Sequence, residues 1–157
     1  MMPLRWATLP IAVLVCGLVT SGCAVGGQVG ALPQVPDPAR AATVVAIRPY
    51  GFEGSGATIT ITVDGAEIYE LGPDEHVAIP VAAGEHMIGA KGWDPALLFT
   101  RIHPTETIQA ESGRVYYFRV TLGRISRAPE AEGRELVSTT APVGTRLDRS
   151  QELRPAR

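Results

Sequence analysis

Six residues most constrain what this chain can fold into: Thr58-Ile59-Thr60-Ile61-Thr62-Val63 alternate strictly between polar and aliphatic. Successive side chains of a strand project to opposite faces, so this pattern separates an apolar face from a polar one, as no helix would. Asp64-Gly65 follows at once. A two-residue type I′ turn needs positive φ at both central positions, and Asp-Gly meets that need at little cost. The pair predicts a hairpin in which Val63 faces Ala66 and Ile61 faces Ile68. That register puts Ile59, Ile61, Val63, Ala66 and Ile68 on one face and Thr60, Thr62, Glu67 and Tyr69 on the other. One face is core and the other solvated, the arrangement of an antiparallel sheet in a two-layer fold.

Similar stretches recur through the chain. Thr43-Val44-Val45-Ala46-Ile47 is a β-branched run that ends at Arg48-Pro49, because proline cannot donate to a ladder. Residues 50–55 form a Gly-rich loop, and Leu71-Gly72-Pro73-Asp74 a turn. Residues 75–81 read as a strand with Val77, Ile79 and Val81 on one face. Pro80 limits that strand to an edge or to a late position. Ala82-Ala83-Gly84 predicts a turn that pairs Val81 with Glu85, and residues 85–91 return. Residues 92–100 read as an irregular loop, 105–110 as an alternating strand, and 114–122 as the longest β-rich run. Residues 128–133 look turn-like, 135–138 a last short strand, and 145–153 a weak helix. Seven or eight short strands with turns at regular spacing predict an all-β fold, a small antiparallel sandwich of immunoglobulin or transthyretin type.

The start of the chain follows other rules. Arg5 precedes an apolar run from Trp6 to Val19, fourteen residues interrupted by Pro10. As a helix this run spans about 21 Å, short of the ~30 Å hydrocarbon core of a bilayer. It has the parts of a signal peptide over residues 1–22. Its ending, Leu18-Val19-Thr20-Ser21-Gly22-Cys23, resembles the lipobox of bacterial lipoproteins, with Thr20 where Leu is commonest. The resemblance implies that Cys23 becomes the mature N-terminus and carries lipid, palmitate included. Two or three acyl chains anchor stably, since each buried CH₂ contributes about 0.8 kcal/mol. Ala24, a non-Asp residue after the cysteine, is similar to the outer-membrane default of enterobacterial lipoproteins, facing the periplasm. Residues 23–42 then read as the lipidated cysteine and a Gly/Pro-rich tether with an average reach of about 24 Å. The sandwich occupies residues 43–138, and residues 139–157 form a weakly structured tail.

Composition excludes several functions. The net charge is −2, and the arginines, thirteen of the fourteen basic residues, never form a run. No nucleic-acid footprint results. The cysteines are Cys16 and Cys23; loss of the leader and acylation leave neither a disulfide nor a thiol ligand set. His76 and His86 flank the predicted 82–84 turn, and its register sets them about 13 Å apart along the ladder. Zinc needs nitrogens about 2.0–2.1 Å from the metal, so this pair cannot chelate, and His103 lies in a separate loop. No metal site or cofactor is expected. No nucleophile elbow, phosphate loop or paired-histidine motif is present, and no enzyme is expected. Tyr50, Phe52, Trp93 and Phe99 lie in or beside loops. Aromatics on one rim stack on sugar rings or anchor a protein partner, which makes these four the candidate contact residues.

The order of the turns carries a resemblance. Arg48-Pro49 closes the first strand, Val63-Asp64-Gly65 makes the hairpin, Gly84-Glu85-His86 the next turn, and Gly113 with Tyr116-Tyr117 opens a late strand. Residues 43–137 thereby resemble a bacterial lipoprotein family catalogued only as a domain of unknown function, and are similar to PEGA-type surface-layer repeats. Family members usually carry proline where this chain has Ala83. The resemblance implies a small exported β-sandwich held at a membrane and assigns no catalytic residue. The expectation is a non-catalytic envelope protein whose sandwich binds a protein or envelope partner. The alternative is a carbohydrate- or peptidoglycan-binding module that uses the loop aromatics.

Overall fold

A computed structural model describes residues 25–51, 56–94 and 100–145, and the backbone alone at Trp93, Asp94, Thr100 and Arg101. The signal-peptide segment, Cys16, Cys23, Phe52, Phe99 and nearly all of the 145–153 segment lie outside the described residues. Eleven strands, one α-helix and one short 3₁₀ helix are found among the described residues. In chain order the strands are β1 (Gly27–Gln28), β2 (Ala42–Arg48), β3 (Ile59–Val63), β4 (Ala66–Leu71), β5 (Glu75–Val81), β6 (Gly84–Asp94), β7 (Thr100–Ile102), β8 (Thr105–Ala110), β9 (Val115–Thr121) and β10 (Arg124–Ala128). Helix α1 (Glu130–Thr139) and β11 (Ala141–Pro142) follow.

The strands form the expected two-sheet sandwich. One sheet runs β1-β4-β3-β6, with β7 and β8 in succession along the far side of the long β6. The other runs β10-β9-β2-β5-β11, with β9 parallel to β2 and β11 parallel to β5. Ile59, Ile61, Val63, Ile68, Leu71 and Ile88 from the first sheet meet Val44, Ala46, Ile79, Val81, Phe118 and Val120 from the second. Burying each large aliphatic or aromatic side chain contributes roughly 1.5–3 kcal/mol, so this double layer supplies the main driving force. Strand β2 is buried along nearly its whole length, and a helix explains why. Helix α1 lies on the outer side of β9 and β2, so β2 is covered on both faces. A Cβ at Gly133 would overlap the ring of Tyr117, so only glycine lets the helix approach this closely.

The Asp64-Gly65 turn forms as predicted, with φ of 52° and 82°. Val63 faces Ala66, as expected. Beyond that the register differs, for a bulge makes Ile61 face Tyr69 rather than Ile68. The extra residue shifts the phase of β4 by one beyond Glu67, so that Leu71 joins Ile68 in the core, while Ala66 beside the turn is exposed.

The 82–84 segment is not a hairpin. Strand β5 pairs with β2 in one sheet and β6 with β3 in the other, so Ala82 and Ala83 carry the chain between sheets. His76 and His86 therefore belong to different sheets, and the spacing expected between them does not apply. Pro80 is accommodated because β11 reaches only Glu75 and His76, leaving the far end of β5 with β2 as its one neighbour.

Two further expectations are corrected. Residues 128–138 form the end of β10 and helix α1 rather than a turn and a strand. Pro129 precedes the helix, Glu130 and Glu132 complement its N-terminal dipole, and Glu130 pairs with Arg134 one turn on. The predicted tether is in part built into the fold. Strand β1 pairs with β4, Gly27 with Glu70 and Gln28 with Tyr69. The amides of Val29 and Gly30 donate to the Ile68 carbonyl at 2.9 and 3.2 Å, and Pro38–Arg40 is a turn of 3₁₀ helix.

Gly65 has open space around the position of a Cβ, so its glycine requirement is one of φ alone. Gly65→Val is expected to destabilise the protein by about 1 kcal/mol or more in urea or thermal melts.

Candidate functional site

Two regions combine chemistry with exposure. The first is the outer face of the β1-containing sheet, which no helix among the described residues covers. The polar side of the Thr58–Val63 alternation lies here, and Glu67, Glu70, Lys91 and His103 surround it in a groove of about 340 Å³. Lys91 Nζ donates to Glu67 Oε1 at 3.0 Å, and Thr58 Oγ1 donates to Glu70 Oε2 at 3.1 Å. His103 Nε2 lies 3.1 Å from Thr62 Oγ1. A Cβ at Gly89 would stand 2.6 Å from that nitrogen, so the missing side chain lets the imidazole fold over β6. His103 sits between β7 and β8, where the Pro104 carbonyl accepts from the Ala90 amide. Burial lowers the His103 pKa from its ordinary value; nearby Lys91 lowers it further, and Glu67 opposes both. The groove offers paired charges and hydroxyls suited to polar contacts with a partner.

The second region is one end of the sandwich. Two charged residues face each other there across β2 and β5, Arg48 at 3% exposure and Glu75 at 0%. Arg48 Nη1 donates to the carbonyls of Ala57 and Leu71, at 2.6 and 2.8 Å, and so ties β2 to the opposite sheet. Glu75 Oε2 accepts from Gly72 N at 2.6 Å and from Gly26 N at 2.9 Å. The Gly26 contact seizes the chain just before β1. A Cβ at Gly26 would overlap the Glu70 carbonyl and Glu75 Oε2, so only glycine fits. Glu75 Oε1 has no partner among the described residues.

The strand directions also gather the loops at this end. The β2–β3 connection leaves and returns here, as do the β4–β5 turn, the β6–β7 connection and the β9–β10 turn. Of the four candidate aromatics, Tyr50 lies in the β2–β3 connection and Trp93 at the end of β6. Tyr50 is 75% exposed and lines a groove of about 290 Å³ with Arg119 and Leu122. Trp93 is not in a loop, as expected, but in β6 opposite Arg101, and its side chain is not described. Phe52 and Phe99 lie outside the described residues, as does Cys23.

The remaining histidines serve the fold. His86 Nδ1 lies 2.7 Å from Asp64 Oδ2, and its Nε2 lies 3.0 Å from the Ala82 carbonyl. Asp64 Oδ1 also accepts from Met87 N at 2.9 Å. Partial burial raises the Asp64 pKa, but the Met87 and His86 hydrogen bonds and the His86 charge outweigh it, so the net shift is downward. His76 Nδ1 meets Thr140 Oγ1 at 2.9 Å, and burial lowers its pKa. No group of three His, Cys, Asp or Glu side chains among the described residues is placed to hold a metal ion.

These contacts give the quoted turn motifs structural work. Asp64 of Val-Asp-Gly holds His86 of Gly-x-His, and Arg48 closes the end of the sandwich. Tyr116 donates to the Gln109 carbonyl and accepts from Glu111 N, which locks the turn before β9. Sequence reasoning missed the burial of Arg48 and Glu75. The signal available was Arg48-Pro49 at a strand end and Glu75 beside a Gly-Pro-Asp turn, a pattern equally common on open surfaces. Comparison with family models, with curated proteins and with solved structures returns no match for this chain. The resemblance drawn from the turn motifs rests on those residues alone.

Replacing Glu75 with Leu strands two buried amides, and the expected cost is about 2–4 kcal/mol in a denaturant melt. Acid is expected to act through the histidines. His76 and His103 protonate less readily when folded, so the unfolded chain binds more protons below pH ~6.5 and stability falls as pH drops through that point. Thermal melts at pH 7.5 and 5.5 check the sign, and a combined His76→Gln, His103→Gln variant is expected to flatten the slope.

Proposed function

We propose that the protein is exported and lipid-anchored through Cys23 in a bacterial envelope, at the outer membrane facing the periplasm. Its β-sandwich then acts as a non-catalytic module for protein or envelope interaction. One observation carries this reading: the lipobox-like Ser21-Gly22-Cys23 stands three residues ahead of Gly26, whose amide is buried against Glu75. Cleavage before Cys23 leaves a mature chain that enters the fold almost at once. The uncovered polar face around Thr60, Glu67, Lys91 and His103 is the surface available to a protein partner.

The second reading is a glycan- or peptidoglycan-binding module. It draws on the strand directions, which bring Tyr50 and the part of β6 that carries Trp93 to one end. Ring stacking on a sugar needs such a shared rim.

Growth with labelled palmitate tests the anchor. Wild-type protein is expected to take up label and to sediment with membranes. Cys23→Ala is expected to lose the label and appear in the soluble fraction; undiminished labelling of that variant overturns the reading. Sedimentation with purified peptidoglycan, abolished by Tyr50→Ala, would favour the second reading.

A further inference from the structure

The geometry points to one end of the sandwich lying against the lipid headgroups: the end formed by Pro49–Gly51, the Gly72-Pro73-Asp74 turn and the Leu122-Gly123 turn. The inference rests on acylation of Cys23 and adds to it an orientation and a lipid-contacting surface.

The argument starts from chain length. Gly26 is gripped by Glu75, and β1 is laddered to β4, so this point of the chain cannot drift from the domain. Gly26 stands three positions after Cys23, with Ala24 and Val25 between them. Fully extended this stretch spans at most about 11 Å, so the acyl chains enter the bilayer within that distance of Gly26. Strand β1 runs away from this point toward the middle of β4, since Gly27 faces Glu70 and Gln28 faces Tyr69. The attachment point is therefore at the Arg48–Glu75 end. The opposite end, with the Asp64-Gly65 and Ser112-Gly113 turns, lies one strand length farther away. A seven-residue strand such as β2 measures about 23 Å at ~3.3 Å per residue. A link of about 11 Å cannot reach past a body of that length, so the Glu75 end is held nearest the membrane.

The side chains at this end suit such a surface. Tyr50 is the most exposed of the large apolar or aromatic side chains described, and tyrosine favours the headgroup level, where its ring is apolar and its hydroxyl wet. Arg119 lines the groove with Tyr50 and Arg124 opens β10; both are exposed, Arg119 with Glu132 3.9 Å away, and basic side chains are drawn to anionic lipid. Among the carboxylates described here, Glu75 is fully buried, Glu70 is bonded to Thr58, and Asp74 is half-buried. No helix among the described residues is long and apolar enough to cross a membrane.

Single cysteines report the orientation, because acylation occupies Cys23 and Cys16 leaves with the leader. Tyr50→Cys and Thr121→Cys probe the near end and Ser112→Cys the far end. Each protein is isolated from membranes after palmitate labelling is verified, tagged with an environment-sensitive fluorophore, and reconstituted in phosphatidylethanolamine–phosphatidylglycerol vesicles containing headgroup-level quencher lipids. Quenching at positions 50 and 121 is expected to exceed that at 112 several-fold. A spacer of about ten Gly/Ser residues between Ala24 and Val25 adds roughly 17 Å of average reach and is expected to erase the difference while leaving the label intact. Labelled protein with equal quenching at all three positions overturns the orientation and leaves the anchor standing. Absence of label overturns both. Quenching stronger at 112, or peptidoglycan protecting position 50 in intact envelopes, assigns this end to another occupant and also overturns the proposal.

Discussion

The sandwich depends on how its open end is closed. Two sheets that meet only through aliphatic side chains leave the backbone groups at their ends unpaired, and an unpaired buried polar group is costly. Arg48 and Glu75 meet that demand from opposite directions. The guanidinium serves carbonyls at Ala57 and Leu71, and the carboxylate serves amides at Gly72 and Gly26. Both residues lie on adjacent strands of one sheet, while their partners belong to segments that lead into the other. The same end thus links the sheets, fixes the β4–β5 turn and captures the chain as it enters the fold.

That capture changes the meaning of the N-terminal region. A free tether would let the domain rotate and stand off from whatever holds its start. A strand laddered to β4, with Gly26 and Gly30 packed too closely for any side chain, transmits orientation instead. The outer polar face and the loop end then become distinct surfaces. One presents Lys91, Glu67, Glu70 and His103 along the flank, and the other presents Tyr50 and Arg119 at the end where the chain enters the fold.

Much of the fold was legible in local pattern. The Thr58–Val63 alternation, the Asp-Gly turn and the β-branched run of β2 announce themselves because strand periodicity and turn φ are properties of neighbouring residues. The errors share one cause. Whether Val81 pairs with Glu85 depends on whether β5 prefers β2 to β6, and Val77 and Ile79 are compatible with either. The bulge at Ile68 is likewise decided by the core's demand for Leu71. Helix α1 was missed because Glu130 to Thr139 has no strong apolar stripe; it is held by its contact with Tyr117 through Gly133, a long-range pairing.

The sequence by itself determined the all-β sandwich, the type I′ hairpin, the candidate acylation at Cys23 and the list of loop aromatics. Each follows from residues within a few positions of one another, where sterics and hydrophobic period act directly. Only the tertiary structure decided that residues 26–30 are a strand, that His76 and His86 lie in different sheets, and that Arg48 and Glu75 are buried. Those outcomes depend on which distant backbone groups arrive beside them, and no local rule specifies the partner of a buried charge.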